Sequence, residues 1–157
     1  MAYFSYRYQV PTSVVAATHA HEFRLPDLPK GKAFSFYAGT MQLELNDSTG
    51  VPKLDNQVYH MQLSLGVRST WVDWASNDVI SKPFDYARRP ACVGSFDRTW
   101  LGNVDIFRQE PVVSRWMTNV VYHKELLAAD ITKIAYRLYY DLVSVTDFEA
   151  AFYAEKY

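Results

Sequence analysis

The chain has 157 residues, 49% of them hydrophobic and 21% charged, which suits one folded domain and excludes a disordered chain. Sixteen Lys and Arg stand against seventeen Asp and Glu, so the net charge of −1 gives no overall attraction to nucleic acid or to an anionic membrane. The single cysteine, Cys92, excludes an internal disulfide, and no apolar run approaches the roughly 20 residues of a membrane-spanning helix.

In chain order, Phe4, Tyr6, Tyr8 and Val10 alternate with Ser5, Arg7 and Gln9, a period of two that predicts a first strand or an extended arm over residues 1–12. Pro11 closes it, because proline cannot donate to a strand ladder. The first eight residues lack the basic and apolar blocks of a secretion signal, so none is expected. Val15, Ala17, His19, His21, Phe23 and Leu25 form a second alternating set that ends at the turn-rich stretch Pro26 to Gly31. A third strand is predicted from Ala33 to Asn46. Phe34 and Phe36 have one parity and Met41, Leu43 and Leu45 the other, so a bulge is expected near Ala38 and Gly39. Asn46 to Pro52 reads as loop. The strand predicted from Gln57 to Trp74 is long enough to need a bend, for which Gly66 is the natural place.

Periodicity then fades, and 75–98 reads as a long loop region of the kind that carries function or contacts. Strands are expected again around Thr99–Arg108 and Ser114–Lys124, with one helical turn at Glu125–Ala129 before a closing strand from Ile131 past Val145. Six to eight strands without helix-length amphipathic stretches predict an all-β, antiparallel sandwich over 1–157, jelly-roll-like or of another Greek-key order. Periodicity does not encode the strand order.

The chemistry-bearing residues point away from an enzyme. His19 and His21 sit at i and i+2 of a strand, an arrangement that aims both imidazoles one way and resembles the His-x-His of cupin barrels. Leu25 and Pro26 stand where that family carries its glutamate, so no metal or other cofactor is expected. No serine lies in a Gly-x-Ser-x-Gly elbow, Cys92 has no partner arrangement, and the six glycines form no phosphate-binding loop. Trp71 and Trp74 flank Asp73, the pattern of a carbohydrate platform in which rings stack on sugar faces and polar neighbours hold hydroxyls. A lectin-like binding module is therefore the alternative function. Arg88, Arg89 and Arg98 are the one clustered basic group and the candidate contact for nucleic acid.

The 12 Tyr, nine Phe and four Trp exceed what one small core uses. Tyr3, Phe4, Tyr6 and Tyr8 at one end, with Phe148, Phe152 and Tyr153 at the other, are the candidate subunit-interface residues. Interfaces between permanent partners are rich in these rings. On that basis replacing Tyr6 and Tyr8 by Ser is expected to disturb assembly more than folding. Equal loss of both would mark a core strand.

In length, in the Tyr3–Val10 segment, in its long strands separated by irregular loops and in the closing strand Ile134–Val143, the chain resembles the small single-jelly-roll coat proteins of viruses. The resemblance implies a structural, homo-oligomeric shell subunit located in the virion, and the charge balance and lack of a long apolar run add that no membrane partner is expected. The chain departs from the Arg/Lys-rich arm frequent in such proteins, having only Arg7 before Arg24.

Overall fold

The computed structural model describes residues 2–11, 17–46, 57–82, 84–88, 97–107, 111–123 and 131–146. Eight strands fill them: β1 (Ala2–Val10), β2 (Ala17–Arg24), β3 (Lys32–Asn46), β4 (Gln57–Leu65), β5 (Phe84–Arg88), β6 (Asp97–Val104), β7 (Trp116–His123) and β8 (Ile131–Ser144). They form two four-stranded sheets in the orders β1-β8-β3-β6 and β2-β7-β4-β5, every neighbouring pair antiparallel. The pairs β1 with β8, β2 with β7, β3 with β6 and β4 with β5 are nested, as in one long antiparallel hairpin rolled upon itself. That order is an eight-stranded jelly roll, and it decides between the two sandwich topologies left open by the sequence.

Alternation explains why these segments become half-buried strands. In β8, Ile134, Tyr136 and Leu138 turn inward while Arg137 and Asp141 turn to solvent. The inward sets of both sheets meet in one cluster that includes Phe23, Phe34, Met41, Leu43, Met61, Leu63, Leu65, Met117 and Tyr136. Fully burying one such side chain is worth about 1.5–3 kcal/mol, so this layer dominates the stability of a chain without disulfides.

The parity change in β3 is a bulge. Phe36 pairs with Tyr140 and Ala38 with Tyr139, leaving Tyr37 as the extra residue. Gly39 follows because a Cβ there would lie 3.0 Å from Leu138 Cδ2 and 3.3 Å from Val104 Cβ. Phe34 and Phe36 on one side of the bulge, and Met41 and Leu43 on the other, all reach the same core.

Three expectations need correcting. The segment at the N-terminus is a strand, paired with β8 from Ala2 to Val10, and not a separate arm. The strand predicted to run to Trp74 stops at Leu65, because Gly66 takes a left-handed φ of 79° and turns the chain. Residues after it lie over the outer face of the second sheet. Gln62 brackets Val72, accepting from its N–H at 2.9 Å and donating to its carbonyl at 2.8 Å, while Thr118 Oγ1 accepts from Arg68 N–H at 3.0 Å. Third, the predicted loop region 75–98 contains β5, whose five residues between Pro83 and Pro90 are too few to show a period. The expected turn at Glu125–Ala129 lies outside the described residues. No helix is long and apolar enough to cross a membrane among those described.

Candidate functional site

Both faces of the first sheet carry the aromatic surplus, and the alternation of β1 divides it. Phe4, Tyr6 and Tyr8 point between the sheets, where β1 and β2 are the facing edge strands. Phe4 stacks on Phe23 at 5.7 Å between ring centroids, Tyr6 on Phe23 at 4.6 Å, and Tyr8 on His21 at 4.2 Å with the planes 5° apart. These rings close one open side of the sandwich. Three of the four N-terminal interface candidates are thereby spent on the protomer's own packing. Tyr8 retains only 8% exposure.

The zipper ends in a buried polar chain. The Tyr8 hydroxyl donates to Asn119 Oδ1, and Asn119 Nδ2 donates to the Gln62 carbonyl at 3.3 Å. The Tyr136 hydroxyl lies 3.8 Å from Met61 Sδ. Burial pushes the Tyr8 and Tyr136 hydroxyls well above the ordinary tyrosine range, each raised further by a neighbouring phenol, so both stay neutral donors. A hydrogen bond with Asn119 pulls Tyr136 slightly the other way.

His21 contacts the Tyr6 hydroxyl through Nε2. Burial lowers its pKa, outweighing the adjacent Glu22 carboxylate, so the neutral ring is favoured at pH 7 and its Nε2 can accept a hydrogen bond from the Tyr6 hydroxyl. Tyr6 and Tyr8 face it from β1, Asn119 is its register partner on β7, and His19 and Glu22 are near it on β2. Because the folded state holds this proton less readily than the unfolded chain, His21 gives its full stabilisation above the unfolded value of about 6.5 and loses it as pH falls from there through the lower folded value. Thermal melts from about pH 7.5 to 5 should show a declining Tm, and His21→Phe should flatten that segment of the curve. An unchanged slope in His21→Phe would assign the pH dependence to other groups. Among the described residues, no three His, Cys, Asp or Glu side chains stand together as a metal site.

The outer face of the same sheet differs. Tyr3 on β1, Tyr139 on β8 and the bulged Tyr37 on β3 form a row across three strands, with ring centroids 6.0 and 6.5 Å apart. Tyr3 is 54% and Tyr37 46% exposed. The Arg137 guanidinium lies 4.8 Å from the Tyr3 ring centroid, a cation–π contact that fixes the edge of the row. Below it is a depression of about 420 Å³, lined on this face by Ser5, Arg7, Thr40, Gln42, Ala135 and Arg137. Ala135 is why Arg7 can cross β8 and pair with Glu44 on β3, to which Gln42 also donates at 2.9 Å. The aromatic pattern of the sequence points to Tyr3 but misses Tyr37 and Tyr139. The bulge that exposes Tyr37 is legible there, but which strands lie side by side is not.

The other candidates are dispersed. Trp74 is exposed and Trp71 half-buried in the loop over the second sheet, and Asp73 Oδ1 accepts from the Ala75 N–H at 2.9 Å within its own turn. Arg88 ends β5 and Arg98 lies near the start of β6, in different sheets. Arg89, Phe148, Phe152 and Tyr153 lie outside the described residues. The nested strand order defines a jelly-roll sandwich, and the outer face of its first sheet carries an exposed tyrosine row. No protein-family model matches the chain, and no curated protein matches it in sequence.

Proposed function

We propose that this protein is a structural, self-assembling subunit, a coat protein or other virion component that builds a homo-oligomeric shell. The observation that carries the reading is the row Tyr3, Tyr139 and Tyr37 on the outer face of the first sheet, backed by Arg137. Rigid rings over paired strands lose little entropy when covered, and Tyr and Arg are the residues on which interface energy concentrates. The jelly-roll order supports it as a fold used by shell proteins, although lectins and cupins share that order.

Tyr3→Ser combined with Tyr37→Ser should weaken assembly at least about tenfold in concentration, since central interface rings contribute about 2 kcal/mol or more each. The folded protomer should change by less than about 0.5 kcal/mol, because both rings are solvent-exposed. Sedimentation velocity and a urea titration on the same samples measure the two. Assembly that survives the double replacement would move the interface elsewhere.

The lectin-like reading keeps one specific observation, Trp74 at 41% exposure beside Asp73. It expects tryptophan fluorescence to shift with a glycan and the shift to vanish in Trp74→Ala. Silence across a broad glycan array would remove it.

A further inference from the structure

Opposite in character to the tyrosine row, one end of the sandwich holds a cationic cleft of about 970 Å³. It lies between the β2–β3 connection, residues 24–32, and residues 113–116 at the start of β7. Arg24, Lys30, Lys32 and Arg115 line it against a single carboxylate, Asp27, in a chain whose net charge is −1. Asp27 is held by Arg24 at 2.9 Å, and Lys32 donates to Ser144 Oγ at 2.9 Å, which leaves Lys30 and Arg115 exposed as the outward charges. The lining is also apolar in part, with Leu28, the two prolines Pro26 and Pro29, and Trp116.

The backbone makes this a built feature. The Leu25 N–H donates to the Arg115 carbonyl at 2.9 Å and the Lys32 N–H to the Pro29 carbonyl at 3.1 Å. Phe34 and Val112 exchange two hydrogen bonds of 2.8 and 2.7 Å, and Gly31 takes a φ of 71°. One further contact bears on the occupant. The Val145 N–H donates to the Gly31 carbonyl at 3.0 Å, so the chain passes the rim of the cleft as it leaves β8.

Beyond Thr146 the sequence continues as Asp147, Phe148, Glu149, Ala150, Ala151, Phe152, Tyr153, Ala154, Glu155, Lys156 and Tyr157. Three carboxylates stand against one lysine, among four aromatic rings. The cleft has the opposite balance, four cations against one carboxylate, around an indole and two prolines. Eleven residues extended span at most about 36–40 Å, a reach beyond the segment's own rim. We infer that the cleft receives residues 147–157 of a second copy, with Lys30 and Arg115 meeting the segment's carboxylates and Trp116 and the prolines meeting its rings. Each protomer then gives one segment and accepts one, the self-complementary exchange that closes a symmetric assembly. This rests on the self-assembly reading and names a second contact for it, independent of the tyrosine row.

Charge reversal in separate copies tests it. Lys30→Glu with Arg115→Glu reverses the cleft, and Glu149→Lys with Glu155→Lys reverses the segment. Each full-length variant alone should assemble at least about tenfold more weakly by light scattering, because like charges then face one another. Mixing the two variants should restore assembly, since the reversed cleft accepts the reversed segment and the unaltered pair remains. Combining all four changes in one chain should restore it as well. Lys30 and Arg115 are exposed, so melting temperatures should hold, and Lys30→Gln with Arg115→Gln provides a milder pair if they do not.

Restoration in the combined chain but not in the mixture would mean that the segment seats in its own protomer, and would overturn the exchange. Variants that assemble like the wild type would overturn the cleft contact while leaving assembly through the tyrosine row intact. A monomeric wild type would remove the assembly reading itself. Binding of a ten-residue thymidine oligonucleotide that is lost on cleft reversal, with assembly unchanged, would make the cleft a phosphate site instead and overturn the inference.

Discussion

Asn119→Ala is expected to destabilise the fold by about 3 kcal/mol, because three neighbours depend on one buried amide. Asn119 is fully buried between the sheets. Its Oδ1 takes the Tyr8 hydroxyl, its Nδ2 serves the Gln62 carbonyl, and the Tyr136 hydroxyl is also within its hydrogen-bonding reach. Truncation leaves two phenols competing for few acceptors in a site that water does not reach, and a buried donor without a partner costs about 1–3 kcal/mol. The Tyr8→Phe, Asn119→Ala double replacement should lose less than the sum of the two single replacements, since it removes the Tyr8 donor and its acceptor together. Urea unfolding of the four members of the cycle measures it. A single-variant loss below about 1 kcal/mol would mean that the amide is not the hub of the polar chain.

Tyr8→Ser should cost about 4 kcal/mol, the range of a large buried aromatic lost to a small residue. The ring stacks on His21 and contacts Tyr6, and its hydroxyl is tied to Asn119. Tyr8→Phe separates the parts. It keeps the stack and should lose only about 1–2 kcal/mol, from the acceptor left behind on Asn119. The sequence alone points the other way, toward loss of assembly ahead of loss of folding at Tyr6 and Tyr8. With both rings turned inward, folding is expected to fail first. Assembly should instead respond at Tyr3, one residue out of phase on the same strand. Far-UV circular dichroism melts of Tyr8→Ser and Tyr3→Ser make the contrast, and equal melting temperatures would contradict it.

The period of two made β1, β2, β3 and β8 legible as strands, and a glycine at a change of parity located the bulge of β3. What alternation cannot state is which face is inward. Phe4, Tyr6 and Tyr8 carry large rings, and so do the outward positions Tyr3, Tyr37 and Tyr139. Only the pairing of β1 with β8 and of β8 with β3 brings the second set into a row. The same holds for the cleft, whose Arg24 and Arg115 are separated by 91 positions in the chain and joined by one backbone hydrogen bond between Leu25 and Arg115. β5 escaped because its five residues lie between prolines with too few alternations to register. The chemistry behind Asn119 escaped because an asparagine inside a strand is silent until its neighbours across the sandwich are known.

Light scattering coupled to size-exclusion chromatography, on the wild-type chain at micromolar concentration, decides whether the protein self-assembles. Self-assembly predicts a particle of many copies with a discrete mass, seen as regular in electron micrographs of the same fraction. A clean monomer would contradict it.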